Sequence, residues 1–320
     1  MICYHNVRGA MKHLTVGIFH DDTIGRELGK KEGTESDIIM FNRKMDEHIF
    51  TFMSPLDDKL SAKSQIISSI DAAVVTFAER TRELGETIVM LDSFDVSKGI
   101  AVTSFYATPD QITAITKDTS LASFIIGKRD PGKMLQVLKS FDLERDTASS
   151  ALVMVDHSFS VKGVGEVILG FVKKGIVRKY DELTLLPANK RVIVRSIQMQ
   201  DEDFDEAEAG SRVGLAIKGA TVEEMKRGSV ICASDSVTTG TRVKLSFKKS
   251  PFYSDDVREG AFHATVGMQT VPITITERSE TSLVIESEKP ITYTPEDIFL
   301  LMDLNAKKMR IMGKAFAIQD

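Results

Sequence analysis

Cysteine is scarce. The 320-residue chain has two, Cys3 and Cys232, too few and too far apart for a disulfide framework or a zinc set. No apolar run approaches the roughly 20 residues that a membrane-spanning helix needs. Residues 1–10 mix Cys3, His5 and Arg8 with isolated apolar residues and lack the continuous apolar core of a secretory signal. A cytoplasmic protein is expected, with no membrane partner and with residues 1–10 as an extension ahead of Met11. The six histidines are scattered, with no spacing that sets two ligands on one helix face. Neither a G-x-S-x-G elbow nor a paired Cys–His signature appears. No metal site and no catalytic residue is therefore predicted, and His20 beside Asp21 and Asp22, which could join a metal site or an acid–base pair, reads rather as a surface loop.

Excess positive charge is also missing. A formal net charge of −5 argues against a generally basic nucleic-acid coat but leaves room for a local basic face. Such a face is predicted around Lys173, Lys174, Arg178 and Lys179, directly ahead of the acidic run 201–208.

The length suffices for two or three domains that each bury a core. Residues 11–147 alternate apolar runs (14–19, 38–41, 49–52, 72–77, 100–103, 124–126) with helical patterns. Leu84, Ile88 and Leu91 fall at i, i+4 and i+7, and Met134, Val137, Leu138 and Phe141 make a second such stripe. This order predicts an α/β layer with a largely parallel sheet. Residues 151–235 carry short strand-like runs punctuated by Gly, Asp, Asn and Pro, and Gly163 and Gly165 mark a hairpin. A small closed barrel is expected there. In 237–320, Val243, Leu245 and Phe247 alternate along one strand, which predicts a second antiparallel barrel with Gly267 at a bulge or close approach.

Three ordered motifs lie in the second domain: Asp-His-Ser-Phe-Ser-Val-Lys-Gly-Val-Gly at 156–165, Arg-Ser-Ile-Gln at 195–198 and Ala-Gly-Ser-Arg-Val-Gly-Leu at 209–215. The stretch resembles domain two of elongation factor Tu and, more closely, of its SelB-like relatives, in particular the short three-domain SelB-like proteins of methane-producing archaea. The resemblance implies a P-loop-GTPase-like α/β domain followed by two antiparallel β-barrels. It also implies binding of transfer RNA or the ribosome, with no DNA partner. Arg195, Arg212 and Lys218 are the basic residues nearest the matched motifs. The sequence ends with the second barrel, where selenocysteine-specific factors continue into a further domain, so that specialised role is not expected.

The family's nucleotide signatures are missing from the first domain. A phosphate loop needs G-x-x-x-x-G-K-[ST], in which glycine allows the turn, lysine meets the β and γ phosphates and the hydroxyl holds magnesium. Aligned from Gly17, this chain has Asp22, Thr23 and Ile24 at those three places. Asp21 and Asp22 set carboxylates where a polyphosphate would lie, and like charges about 4 Å apart repel by on the order of 1 kcal/mol even in water. In place of the Asp-x-x-Gly switch the chain reads Met53-Ser54-Pro55-Leu56-Asp57. In place of Asn-Lys-x-Asp it reads Thr103-Ser104-Phe105-Tyr106. Thr34, where an effector-loop threonine would be sought, reads as a solvated turn residue. A pseudo-GTPase without cofactor is the expectation. The same residues leave open a GTP- and magnesium-binding factor with an unorthodox loop, or a protein-interaction scaffold with no RNA partner.

Overall fold

The computed structural model describes residues 11–32, 37–233 and 237–319. Thr34, Cys3 and the 1–10 extension lie outside the described residues. The α/β unit is built on one sheet of strands β1 (Lys12–Phe19), β2 (Lys30–Glu32), β3 (Ile38–Met45), β4 (His48–Pro55), β5 (Ala72–Thr76), β6 (Gly99–Val102) and β7 (Ile125–Gly127). Their spatial order is β2-β3-β4-β1-β5-β6-β7, parallel from β4 to β7 and antiparallel at β2 and β3. Helices α1 (Thr23–Leu28) and α5 (Pro131–Lys139) pack into the core on one face. Helices α2 (Leu60–Ile67), α3 (Arg82–Ser93) and α4 (Pro109–Thr116) pack into the core on the other. The central strands are buried on both sides, which is why they read as continuous apolar runs rather than alternating ones.

The helices begin where local chemistry starts them. The Thr81 hydroxyl accepts the amide of Leu84 at 3.2 Å and opens α3. Thr108 and Gln111 form a reciprocal capping box around Pro109 at the start of α4. Asp130 caps α5 ahead of Pro131.

The first barrel uses β8 (Leu152–Val161), β9 (Gly165–Lys174), β10 (Ile176–Arg178), β11 (Glu182–Leu186), β12 (Lys190–Met199), β13 (Glu202–Phe204), β14 (Glu206–Glu208), β15 (Arg212–Lys218) and β16 (Val230–Cys232). Six of these close the ring β11-β16-β8-β9-β15-β12, since β11 also pairs with β12. The β8–β9 hairpin turns through Gly163 and Gly165, whose φ angles of 85° and 107° suit glycine. The second barrel is the closed ring β17-β20-β19-β18-β21-β22, formed by β17 (Thr238–Lys249), β18 (Gly260–Val266), β19 (Gln269–Arg278), β20 (Ser282–Tyr293), β21 (Phe299–Met302) and β22 (Ile311–Ala317). Gly267, expected at a bulge or close approach, lies in the tight β18–β19 turn with φ 51°, where an added Cβ would lie 3.3 Å from the Met154 sulfur. The register Val266↔Gln269 leaves two residues to reverse the chain there.

One apolar core crosses the unit boundaries. Ile66, Leu84 and Ile88 of the α/β unit share it with Met154 and Phe171 of the first barrel and with Met268, Leu300 and Ile311 of the second. Among the described residues no helix is long and apolar enough to cross a membrane.

Candidate functional site

Parallel sheets present ligand chemistry outside the C-terminal ends of their strands. At that edge β1 runs two residues further than a phosphate loop would allow. Gly17 lies inside β1, paired with Met53 and Ala73, and a Cβ there would come within 2.6 Å of the Phe19 ring. The glycine expected in a turn is therefore a packing glycine. Only His20, Asp21 and Asp22 separate β1 from α1, and Ile24 is buried in the core.

Across this short loop lies a residue that the sequence did not single out. Arg129, between β7 and α5, donates to Asp21 Oδ2 at 2.8 Å, to Thr23 Oγ1 at 2.7 Å and to both Glu27 oxygens at 2.7 and 3.2 Å. Thr23 donates its own proton to Asp21 Oδ1 at 2.5 Å. Asp22 faces Arg26 at 3.7 Å. The expected excess of carboxylate charge is thus offset within the chain, and the bonds that Arg129 donates to Glu27 hold its guanidinium more firmly charged.

Beneath the loop the environment is drier. His20 has φ 66° and its Nε2 lies 3.0 Å from Thr87 Oγ1. The Thr87 proton is committed to the Glu83 carbonyl at 2.9 Å, so the imidazole must donate from Nε2. Burial, with the nearby Lys63 ammonium, lowers the His20 pKa to about 4, so the ring is neutral at pH 7. Lys63 itself is buried on α2 and pairs with Asp58.

A second concave feature lies between the α/β unit and the first barrel. It is a cleft of about 300 Å³ walled by Phe159, Val164, Leu169, Met199 and Gly214 of the barrel, with Glu32 and Asn42 from β2 and β3. Asn42 is buried and its Oδ1 has no hydrogen-bond partner among the described residues. Arg212 lines the same cleft, stacks 5.2 Å over the Phe171 ring and donates to Asp156 Oδ2 at 3.3 Å. Arg227 approaches the other Asp156 oxygen at 3.7 Å and reaches Asp37 of the α/β unit. The buried Asp156 carboxylate therefore sits between two arginines, one of which ties the barrel to the neighbouring unit.

Residues 165–232 match the family model described as elongation factor Tu domain 2. Over 307 residues the chain is 36% identical to the uncharacterized protein MJ0325 of Methanocaldococcus jannaschii, covering 95% of this chain and 99% of that one. The chain belongs to the elongation factor Tu/SelB-like superfamily of translational GTPases. Over 150 residues, 45% of this chain and 31% of the relative, it is 35% identical to the selenocysteine-specific elongation factor of the same organism. The solved structure of translation elongation factor SelB from Methanococcus maripaludis, in complex with the GTP analogue GppNHp, superposes with a TM-score of 0.82. Identity is 23%, covering 98% of this chain and 80% of that one.

In this elongation factor Tu/SelB-like chain the seven basic candidates fall into two groups. Lys173 and Lys174 point across the barrel seam, Lys173 to Asp297 and Lys174 to Glu296 at 3.1 Å. The expectation that both are free surface charges is corrected: they join the first barrel to the second. Burial works to raise the Asp297 carboxyl, yet the Lys173 ammonium and bonds from Thr294 outweigh it and hold it below the usual range. Arg178 pairs with Glu206 at 3.1 Å, Lys179 lies 5.4 Å over the Tyr180 ring, and Arg212 belongs to the Asp156 group. Arg195 on β12 and Lys218 at the end of β15 are exposed. Reasoning from sequence missed Arg129, Arg227 and Lys63 because their partners lie in other elements and no local spacing announces them.

Proposed function

We propose that this protein is a cytoplasmic translation factor of the elongation factor Tu/SelB type that binds transfer RNA or the ribosome without hydrolysing a nucleotide. The observation that carries this reading is the Arg129 network over the β1–α1 loop. A magnesium-bound nucleotide needs free backbone amides in a glycine turn, a lysine on its phosphates and a hydroxyl on the metal. Here the glycine is held inside a strand, and the one hydroxyl at the helix start is already engaged by Asp21 and Arg129. These residues do not fit the group.

Equilibrium binding of labelled GTP and GDP with magnesium tests the reading, and no micromolar affinity is expected. Affinity in that range overturns it in favour of an active GTPase with an unorthodox loop. Thr23→Lys alone is expected to create no measurable affinity, because the new ammonium would lie beside Arg129 and no glycine turn accompanies it. Tight magnesium-dependent binding by that variant would mean that the loop was competent all along.

The family's second domain meets the aminoacyl end of transfer RNA, and the cleft beside Arg212 is a concave surface that this barrel offers for such an end. Arg195 and Lys218 are the candidates left to meet phosphates. Each neutralised phosphate releases counterions, so replacing both by alanine is expected to flatten the log–log salt slope of transfer-RNA binding by about 1.5. Replacing Lys173 and Lys174 is expected to leave that slope unchanged and instead to remove about 2 kcal/mol of stability, because the Asp297 carboxylate loses its cation. Binding that ignores salt would point to a protein partner.

A further inference from the structure

We infer that the α/β unit is clamped to the second barrel in a single register by the chain's own buried polar contacts, so that no nucleotide state turns one against the other. The inference stands on the seam and not on nucleotide affinity, so the two readings can fail separately.

The seam is made by α2 and α3 against β18, β19 and the start of β22. Glu86 on α3 is fully buried, and its carboxylate accepts three bonds from Arg310 of the second barrel: backbone N at 3.1 Å, Nε at 2.8 Å and Nη2 at 2.6 Å. One turn away along the seam, α2 brings a run of hydroxyls into contact with the same barrel. Ser64 and Thr265, both fully buried, lie 2.8 Å apart. Thr265 meets Thr270 at 2.8 Å, and Thr270 accepts from Gln65 Nε2 at 3.1 Å. Ser68 Oγ donates to the Gly267 carbonyl at 2.6 Å. At the rim Lys314 pairs with Asp95 at 2.7 Å.

Apolar surfaces alone tolerate sliding, because one methyl contact replaces another. Buried polar pairs do not. A rotation that displaced Arg310 from Glu86 would strip a fully buried carboxylate of three bonds and leave it only the 3.9 Å approach of Arg82, and it would part Ser64 from Thr265, which keep only the Ser61 carbonyl and Thr270 on their own sides. Because the two sets lie on different helices, a rotation that spares one of them displaces the other. The shared core fills the space between, so the seam holds one arrangement rather than a continuum.

The test is a distance measurement across the seam on the full chain. Nitroxides are placed at exposed Lys117→Cys on the α/β unit and Glu280→Cys on the second barrel, in a Cys3→Ser background that keeps buried Cys232. Electron–electron double resonance is expected to give one narrow distance population, unchanged by GDP or GppNHp with magnesium. Arg310→Ala is expected to add a second, displaced population. Glu86→Gln, which keeps the shape but loses the charge, is expected to broaden the first, and it carries the test if the alanine variant does not fold. Two populations in the unaltered chain, a shift with nucleotide, or an unbroadened single distance in Glu86→Gln each overturn the clamp. Nucleotide binding is measured on the same labelled sample. Binding with an unmoved distance sinks the nucleotide-free reading and leaves the clamp standing, whereas two distances without binding do the reverse.

Discussion

Acidification from pH 7 to pH 4 is expected to cost this protein several kcal/mol of stability before its ion-paired carboxylates begin to protonate. The cause is a pair of half-buried neutral histidines. His13 on β1 is lowered to about 4 by burial, with the Arg145 charge adding to it. His20 is lowered to about 4 by burial, with Lys63 opposing protonation and Asp58 and Glu83 favouring it. In the unfolded chain both return to about 6.5. A group whose folded pKa lies below its unfolded one binds its proton more weakly in the native state. The unfolded state therefore gains protons first as the pH falls. Stability is complete above about 6.5 and drains between 6.5 and 4, by on the order of 3 kcal/mol for each histidine. Urea unfolding at a series of pH values is the measurement, with proton uptake on unfolding approaching two near pH 5. His20→Gln, which retains an N–H for Thr87, is expected to remove about half of the slope in that window. Equal stability at pH 7 and pH 4.5 would refute the assignment.

Much of this architecture could be read from the residues because the informative signals are local. Gly163 and Gly165 adopt positive φ in a hairpin that only their own sequence needs to specify. The alternation of Val243 and Leu245 survives as inward-facing positions of β17 because an antiparallel barrel has one dry face. The strand expected at 14–19 appears as β1, since a strand buried on both faces must be apolar throughout. What escaped notice depends on distant residues. Gly17 has the composition of a loop residue, and only the Phe19 ring folded over it reveals a packing role. Arg129 meets Asp21 across 108 positions of sequence, and Lys173 meets Asp297 across 124. A count of charges along the chain registers such residues as a basic patch, because it sees the lysines and not the carboxylates that the fold brings to them. The same blindness applies to the helices. The stripe of α3 was visible because it faces one core, whereas α2 is buried almost all round, polar residues included, and so shows little periodicity.

Removal of the Arg145 side chain is expected to be the most damaging single truncation in the segment that joins the α/β unit to the first barrel. Arg145 donates to both oxygens of Asp71, at 2.6 and 3.0 Å, and to the His13 carbonyl at 2.7 Å. Asp71 also accepts the amide of Thr15 at 2.8 Å, so the fork fixes the first half of β1 and the entry to β5 together. On its other side the guanidinium packs against Gly210 of the barrel, where φ is 93° and an added Cβ would overlap it. Arg145→Ala leaves a largely buried carboxylate with one donor and opens a gap between two units. A loss of about 3 kcal/mol is expected from the uncompensated charge. Arg145→Lys keeps the charge but has no planar fork to span Asp71 and His13 at once, so about half of that loss is expected. A structural role alone would end there, but this residue also bears on the proton balance. Removing its positive charge raises the His13 pKa toward its unfolded value, so the acid loss between pH 6.5 and 4 is expected to shrink in Arg145→Ala and to persist in Arg145→Lys. Gly210→Ala attacks the same contact from the barrel side and is expected to destabilise without altering charge. Urea midpoints for the three variants at pH 7.5 and pH 5 decide the matter. A loss below about 1 kcal/mol in the alanine variant, with an unchanged pH profile, would mean that the linker arginine holds neither the junction nor the histidine beside it.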